Sequence, residues 1–183
     1  MKKQCYLVAL SLFFSFLTDA QTEQGNFLLE VGFTPISGSS FDGQLAPSTG
    51  LQLWTSDGNT VFNVGAESGY FIADDFAIKL GLGFLNISPD GGDSESSFSY
   101  KVGAKYYINS VVPVQLDITG STLEDDDLFE VADPFWLGIQ AGYAVFFSEQ
   151  AALEPSLRYN ISLNDDFSDD GIFEIRFGFS IFF

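Results

Sequence analysis

Residues 171–183, G-I-F-E-I-R-F-G-F-S-I-F-F, decide the fold. Phe173, Ile175, Phe177, Phe179, Ile181 and Phe183 occupy alternate positions, with Glu174, Arg176, Gly178 and Ser180 between them. A period of two is that of an extended strand, whose successive side chains point to opposite faces, so one face of this segment is wholly apolar and the other mixed. The same period recurs upstream over 26–34, 60–72, 76–87, 98–109, 111–120, 135–148 and 152–163. Within 26–34, for instance, Phe27, Leu29, Val31 and Phe33 share one face. No stretch carries a sustained helical period with caps, and beyond residue 20 no apolar run reaches the roughly 18 residues of a helical membrane span. The expectation is an all-β chain of eight strands, with a further strand fitting 49–56 inside the long first connection.

The connections alternate in length. Short turns fall at 73–75, near 109–112 and at 148–150, and long acidic loops at 35–59, 88–97, 121–134 and 164–170. Short turns at one end and long loops at the other describe an up-and-down antiparallel meander. Strands of about ten residues are long enough to cross a bilayer when tilted about 45°.

The two faces separate a soluble barrel from a transmembrane one. The apolar faces carry Phe27, Phe33, Phe62, Tyr70, Phe76, Phe84, Phe98, Tyr100, Tyr106, Phe135, Tyr143, Phe147, Tyr159, Phe177, Phe179 and Phe183, besides many Leu, Ile and Val. An eight-stranded barrel has an interior just wide enough for ordinary side chains and does not hold that many rings. The opposite face is rich in Gly, Ser, Asn and Ala and suits a narrow lumen, so the apolar face is expected outward against lipid. Charge agrees with this facing. Lys79, Lys101, Lys105, Arg158 and Arg176 all fall on the inward face, together with Glu30, Glu67, Asp117, Glu154 and Glu174, which leaves the interior formally neutral. Neutrality is what a low-dielectric lumen needs, because an unpaired buried charge costs several kcal/mol, roughly 3–5 when one partner of a pair is removed. Inward Phe71, Tyr107, Trp136, Phe146 and Phe182 are expected to fill the barrel as plugs.

The first twenty residues stand apart. Lys2 and Lys3 form a positive start, Tyr6 to Leu17 an apolar run, and Thr18-Asp19-Ala20 a small-residue cleavage site, so residues 1–20 read as a secretory signal removed after Ala20 and residues 21–183 as one barrel domain. The apolar run is too short for a membrane anchor, and Cys5 precedes it, whereas a lipid-bearing cysteine would follow it. The exported part carries 24 acids and 5 bases and neither cysteine nor methionine.

Composition removes several chemistries. The 183-residue chain has no histidine and one cysteine, which excludes histidine-assisted nucleophiles, thiolate catalysis, disulfide frameworks and most zinc sites. A net charge of −18 repels nucleic acid and anionic lipid surfaces. No cofactor is expected, no cleft is defined for a carboxylate pair of the glycosidase kind, and the chain reads as noncatalytic.

Three motifs resemble the outer-membrane β-barrel domain family of small OmpA/OmpX-like proteins. They are Gly69-Tyr70-Phe71-Ile72-Ala73-Asp74-Asp75-Phe76-Ala77-Ile78, a strand ending at a tight acidic turn; Val102-Gly103-Ala104-Lys105-Tyr106-Tyr107-Ile108; and the alternating end at Phe177, Phe179, Ile181 and Phe183. The long first loop, with Trp54, departs from the commonest spacing of the family. The resemblance implies an outer-membrane location and an eight-stranded antiparallel up-and-down transmembrane barrel, with the terminal phenylalanine pattern read by the barrel assembly machinery. Three functions fit the residues: a structural or surface-interaction protein with acidic extracellular loops, a small channel for ions or solutes, and a secreted lipocalin-like binder whose apolar face would point inward. Asp165, Asp166, Asp169 and Asp170 offer carboxylates to Ca²⁺, although their spacing is not that of an EF-hand, and solvated loops open to divalent cations or surface ligands are the simpler reading. A barrel closes its own edges, so a monomer is expected.

Overall fold

The computed structural model describes residues 21–37, 49–56, 59–123, 135–164 and 171–183. They form β1 (Phe27–Ser37), β2 (Gly50–Ser56), β3 (Asn59–Ala73), β4 (Phe76–Ser88), β5 (Glu95–Ile108), β6 (Val112–Leu123), β7 (Phe135–Gly142), β8 (Val145–Ser148), β9 (Ala151–Ser162) and β10 (Ile172–Phe182). One sheet runs β10-β1-β2-β3-β4-β5-β6-β7-β9-β8, and β9 pairs with β10 to close the ring. The fold is an all-β closed barrel of nine strands, with β8 paired to β9 beside the ring.

Neighbouring strands are antiparallel except at β1–β2, which is parallel. Tight turns explain the short ends. Asn109 and Ser110 both take positive φ, at 51° and 59°, the conformation that matches a two-residue hairpin to strand twist, and Asp75 (φ 64°) closes the β3–β4 turn.

Two departures from the expected eight strands have physical causes. First, β2 enters the ring between β1 and β3, which pair directly only from Phe27↔Tyr70 to Glu30↔Glu67, so the ring counts nine. Second, the segment 135–148 is interrupted at Tyr143 and Ala144. Opposite the break lies Pro155, which has no N–H to give to a ladder. Tyr143 N still donates to the Pro155 carbonyl, whereas Ala144 N turns to the carbonyl of Val111. The register nevertheless continues across the gap, from Gly142↔Ser156 to Val145↔Leu153.

Facing follows the alternation. Leu53, Leu82, Phe98 and Phe183 are 74%, 73%, 61% and 65% exposed on the outer wall, while every charged strand residue from Glu30 to Arg176 whose side chain is described is buried inside. Tyr100 lies across Gly120, where an added Cβ would strike its ring, so an aromatic covers the outer face of a bare glycine. With the large apolar residues outside and the charged ones inside, the lipocalin-like alternative, whose apolar face would point inward, is overturned.

At the turn end the interior is floored by Leu28, Phe71, Ala77, Tyr107, Ala144, Phe146, Ala152 and Phe182. Their rings meet at 5.5 Å (Phe146–Phe182), 6.0 Å (Phe71–Tyr107) and 6.1 Å (Tyr107–Phe182). Across this floor runs the segment before β1. Gln21 donates to the Ser148 carbonyl, Thr22 Oγ1 to Asp75, and Gln24 N to Asp74, which ties the segment to two different hairpin turns.

Candidate functional site

The most highly organised group of side chains lies in the lumen above the floor. β-Strand alternation delivers one inward side chain every second residue, and seven strands contribute one or two charges each: Glu30 from β1, Glu67 from β3, Lys79 from β4, Lys101 and Lys105 from β5, Asp117 from β6, Glu154 and Arg158 from β9, and Glu174 and Arg176 from β10. All ten are buried.

Lys79 and Lys105 lie nearer the floor, each three residues from the turn end of its strand. Lys105 pairs with Glu154 and lies 2.6 Å from Glu30, and Tyr107 donates to Glu154 at 2.8 Å, which fastens the network to the aromatic floor. Lys79 Nζ lies 2.8 Å from Glu30 and 2.7 Å from Glu67, and Lys101 Nζ lies 2.6 Å from Glu67. Arg158 and Arg176, like Lys101, stand six to seven residues from the turn ends of their strands, nearer the loops. Arg158 grips Asp117 with both terminal nitrogens, at 2.6 and 2.7 Å, the bidentate geometry in which a guanidinium binds a carboxylate most strongly. Glu174 lies 3.8 Å from Arg158, and Arg176 lies 3.7 Å from Glu67 and donates to Gln140 at 3.3 Å. The chain of contacts runs unbroken from Tyr107 to Asn160, which accepts from Arg158 Nε at 2.7 Å.

Neutral groups that charge counting passes over complete the network. Gln115 accepts from Lys79 and donates to Glu67 and Asp117, so it bridges the two groups. Thr119 donates to Asp117 at 3.0 Å, and Thr49, at the foot of β2, donates to Glu67 at 2.5 Å. The alternation Gln115-Leu116-Asp117-Ile118-Thr119 carries the signal for Gln115 and Thr119. Thr49 has no such local signal, because it reaches the lumen through the insertion of β2.

Room for these side chains comes from glycines placed across the rungs. Gly69 and Gly103 flank Lys79, Gly81 lies beside both Glu67 and Lys101, Gly103 and Gly138 flank Asp117, and Gly178 lies beside Glu154. A Cβ added at Gly138 would overlap the Arg158 guanidinium, and one at Gly32 would come within 2.6 Å of that of Arg176. Glycines beside Glu67, Lys79, Lys101, Asp117 and Glu154 thus give the charges room in a narrow lumen.

The remaining expected residues are placed as follows. Phe177, Phe179, Ile181 and Phe183 stand on the outer face, and Phe183 stacks on Phe27 at 5.9 Å while their main chains exchange hydrogen bonds. Phe71, Tyr107, Phe146 and Phe182 form the floor; Trp136 is equally buried but stands away from them, on β7 beside Thr119 and Ser162. Asp165, Asp166, Asp169 and Asp170 lie outside the described residues. Among the described residues no group of three His, Cys, Asp or Glu side chains is arranged to hold a metal ion.

No protein family and no curated protein is matched by the chain. Among solved structures, it is similar to the N-terminal β-barrel domain of Pseudomonas aeruginosa OprF (16% identity, TM-score 0.49, covering 87% of this chain and 98% of that one). It is similar also to the outer membrane protein OprG of the same organism (16%, 0.48, 89% and 99%) and to Neisserial surface protein A (15%, 0.46, 86% and 97%).

Proposed function

We propose that this chain is an outer-membrane protein of a Gram-negative-type cell, which spans the bilayer as a barrel with its turns and both termini in the periplasm and its acidic loops outside. The reading rests on the outer wall. From Phe27 to Phe183 its large side chains are apolar and exposed, and no charged residue whose side chain is described within the strands faces outward. In water such a surface would be an aggregation liability far larger than the few hundred Å² that monomers expose; in lipid it is the ordinary outer face of a barrel. Rings gather toward the turn end, where Phe27, Tyr70 and Phe183 group together, Phe76 meets Tyr106 and Phe147 stacks on Phe179, the position of an interfacial girdle.

The role we assign is noncatalytic and structural or surface-interactive. Its support is that the lumen centre is filled by mutually neutralising ion pairs and the turn end by packed rings, which leaves the loop end as the surface available to partners. The second reading, a small ion channel, is supported by the unbroken run of polar groups along the lumen. Fractionation tests the first claim: the protein should be recovered from outer membranes and its unboiled form should migrate differently from the boiled form on a gel, and a soluble periplasmic product would overturn it. Planar-bilayer recordings separate the two roles. We expect no stable conductance steps, and reproducible steps abolished by altering lumen charges would favour the channel.

A further inference from the structure

β2 is seated in the wall by few pairings. It meets β1 in a parallel seam of two, Gly32↔Gly50 and Phe33↔Leu51, and meets β3 in five, from Gln52↔Asn63 to Ser56↔Asn59. Below it, β1 and β3 are already paired from Phe27↔Tyr70 to Glu30↔Glu67. Continuing that register sets Val31 beside Ala66, Gly32 beside Gly65, Phe33 beside Val64 and Thr34 beside Asn63. Every one of these matches has the correct facing, with Phe33 and Val64 on the outer wall and Gly32, Gly65 and Asn63 inside. The two inner glycines leave nothing to oppose the approach.

We propose that the wall has two arrangements: the nine-strand ring with β2 between β1 and β3, and an eight-strand ring in which β1 zips onto β3 and β2 leaves the wall toward the loop end. The hydrogen bond from Thr49 to Glu67 is the latch between them. Zipping gives up the two parallel β1–β2 and five antiparallel β2–β3 pairings and gains antiparallel β1–β3 pairings, four of them from Val31–Ala66 to Thr34–Asn63. The nine-strand ring also holds Thr49, wholly buried, whose hydroxyl donates to Glu67 Oε1 at 2.5 Å. Glu67 also holds Lys79, Lys101 and Gln115, so the seating of β2 is joined to the centre of the lumen network. Removing a strand narrows a barrel, and the loop-side half of the lumen constricts when β2 leaves.

Cysteine cross-linking in lipid vesicles tests this. The chain has one cysteine, Cys5, and a Cys5→Ser background removes it. Phe33→Cys with Leu51→Cys reports the nine-strand ring, Phe33→Cys with Val64→Cys the eight-strand ring, and Phe84→Cys with Phe98→Cys, a fixed β4–β5 pair, serves as control. With an added oxidant, both Phe33 pairs should cross-link in folded protein. Thr49→Val should raise the Phe33–Val64 rate relative to Phe33–Leu51 about tenfold or more, the value of a buried hydrogen bond to a charged group, whereas Thr49→Ser should leave the ratio unchanged. Cross-linking at Phe33–Leu51 alone in every background, or a ratio indifferent to Thr49→Val, overturns the proposal. Should Thr49→Val not fold, the two pairs with Thr49 intact decide alone: both cross-linking supports two arrangements, and only Phe33–Leu51 refutes them.

Discussion

Gly138 limits what the lumen can hold, because the Arg158 guanidinium occupies the space where any other residue would carry its Cβ. Gly138→Val should push that guanidinium off Asp117 and cost about 1–3 kcal/mol as overpacking, read as a lowered urea midpoint for the barrel in lipid. The network has an opposite vulnerability. Lys101→Leu removes the ammonium 2.6 Å from Glu67, and Arg158→Leu leaves Asp117 without its bidentate partner. Arg158→Leu should destabilise by about 3–5 kcal/mol, the cost of a buried carboxylate left without its cation, and Lys101→Leu by less, because Lys79 still lies 2.7 Å from Glu67. Replacing Lys101 and Glu67 together by Leu and Gln should recover part of the loss. A double variant no better than Lys101→Leu alone would show that Glu67 is held by its other partners.

At the level of elements, the inner and outer faces differ in what they tolerate. Phe179→Lys places a charge on the outer wall of β10 among the rings of the turn end, where the cost lies below the about 2–4 kcal/mol of the bilayer midplane, and should reduce insertion as judged by a weaker heat-shifted gel band. Deleting Phe183 removes the stack on Phe27 and the paired main-chain bonds that join the two ends of the ring, so folded yield should fall. How far elements are legible in the sequence depends on where their determinants lie. In β10 and β4 each residue carries its own facing signal, and alternation alone separates Phe179 from Ser180. The break at Tyr143 and Ala144 leaves no trace in 135–148, because its cause, Pro155, is on another strand. The insertion of β2 is equally hidden. Its parallel pairing with β1 depends on Gly32 and Gly50 meeting across a long connection, and the lumen role of Thr49 follows from that meeting rather than from any local pattern. The ten charges could be found by alternation because each is on a regular strand, whereas which acid meets which base depends on register and tilt.

On the scale of the whole molecule, the barrel is layered along its axis. A ring-lined floor at the turn end and, above it, a lumen filled by buried ion pairs follow one another, inside a wall whose large outward side chains are apolar. Among the described residues every lysine and arginine is inside, and the acids not held in the network fall in turns, in the segment before β1, in the β4–β5 loop or, for Glu95, at the first position of β5. This separation is the central claim, and depth-resolved accessibility tests it most directly. Nitroxide labels would be placed singly at outward Leu82 and Phe177 and inward Ser99 and Ser180, in the Cys5→Ser background, in lipid vesicles. The account predicts strong collisional relaxation by lipid-dissolved oxygen at Leu82 and Phe177 and protection at Ser99 and Ser180. Equal accessibility at all four positions, or the reverse pattern, would contradict it.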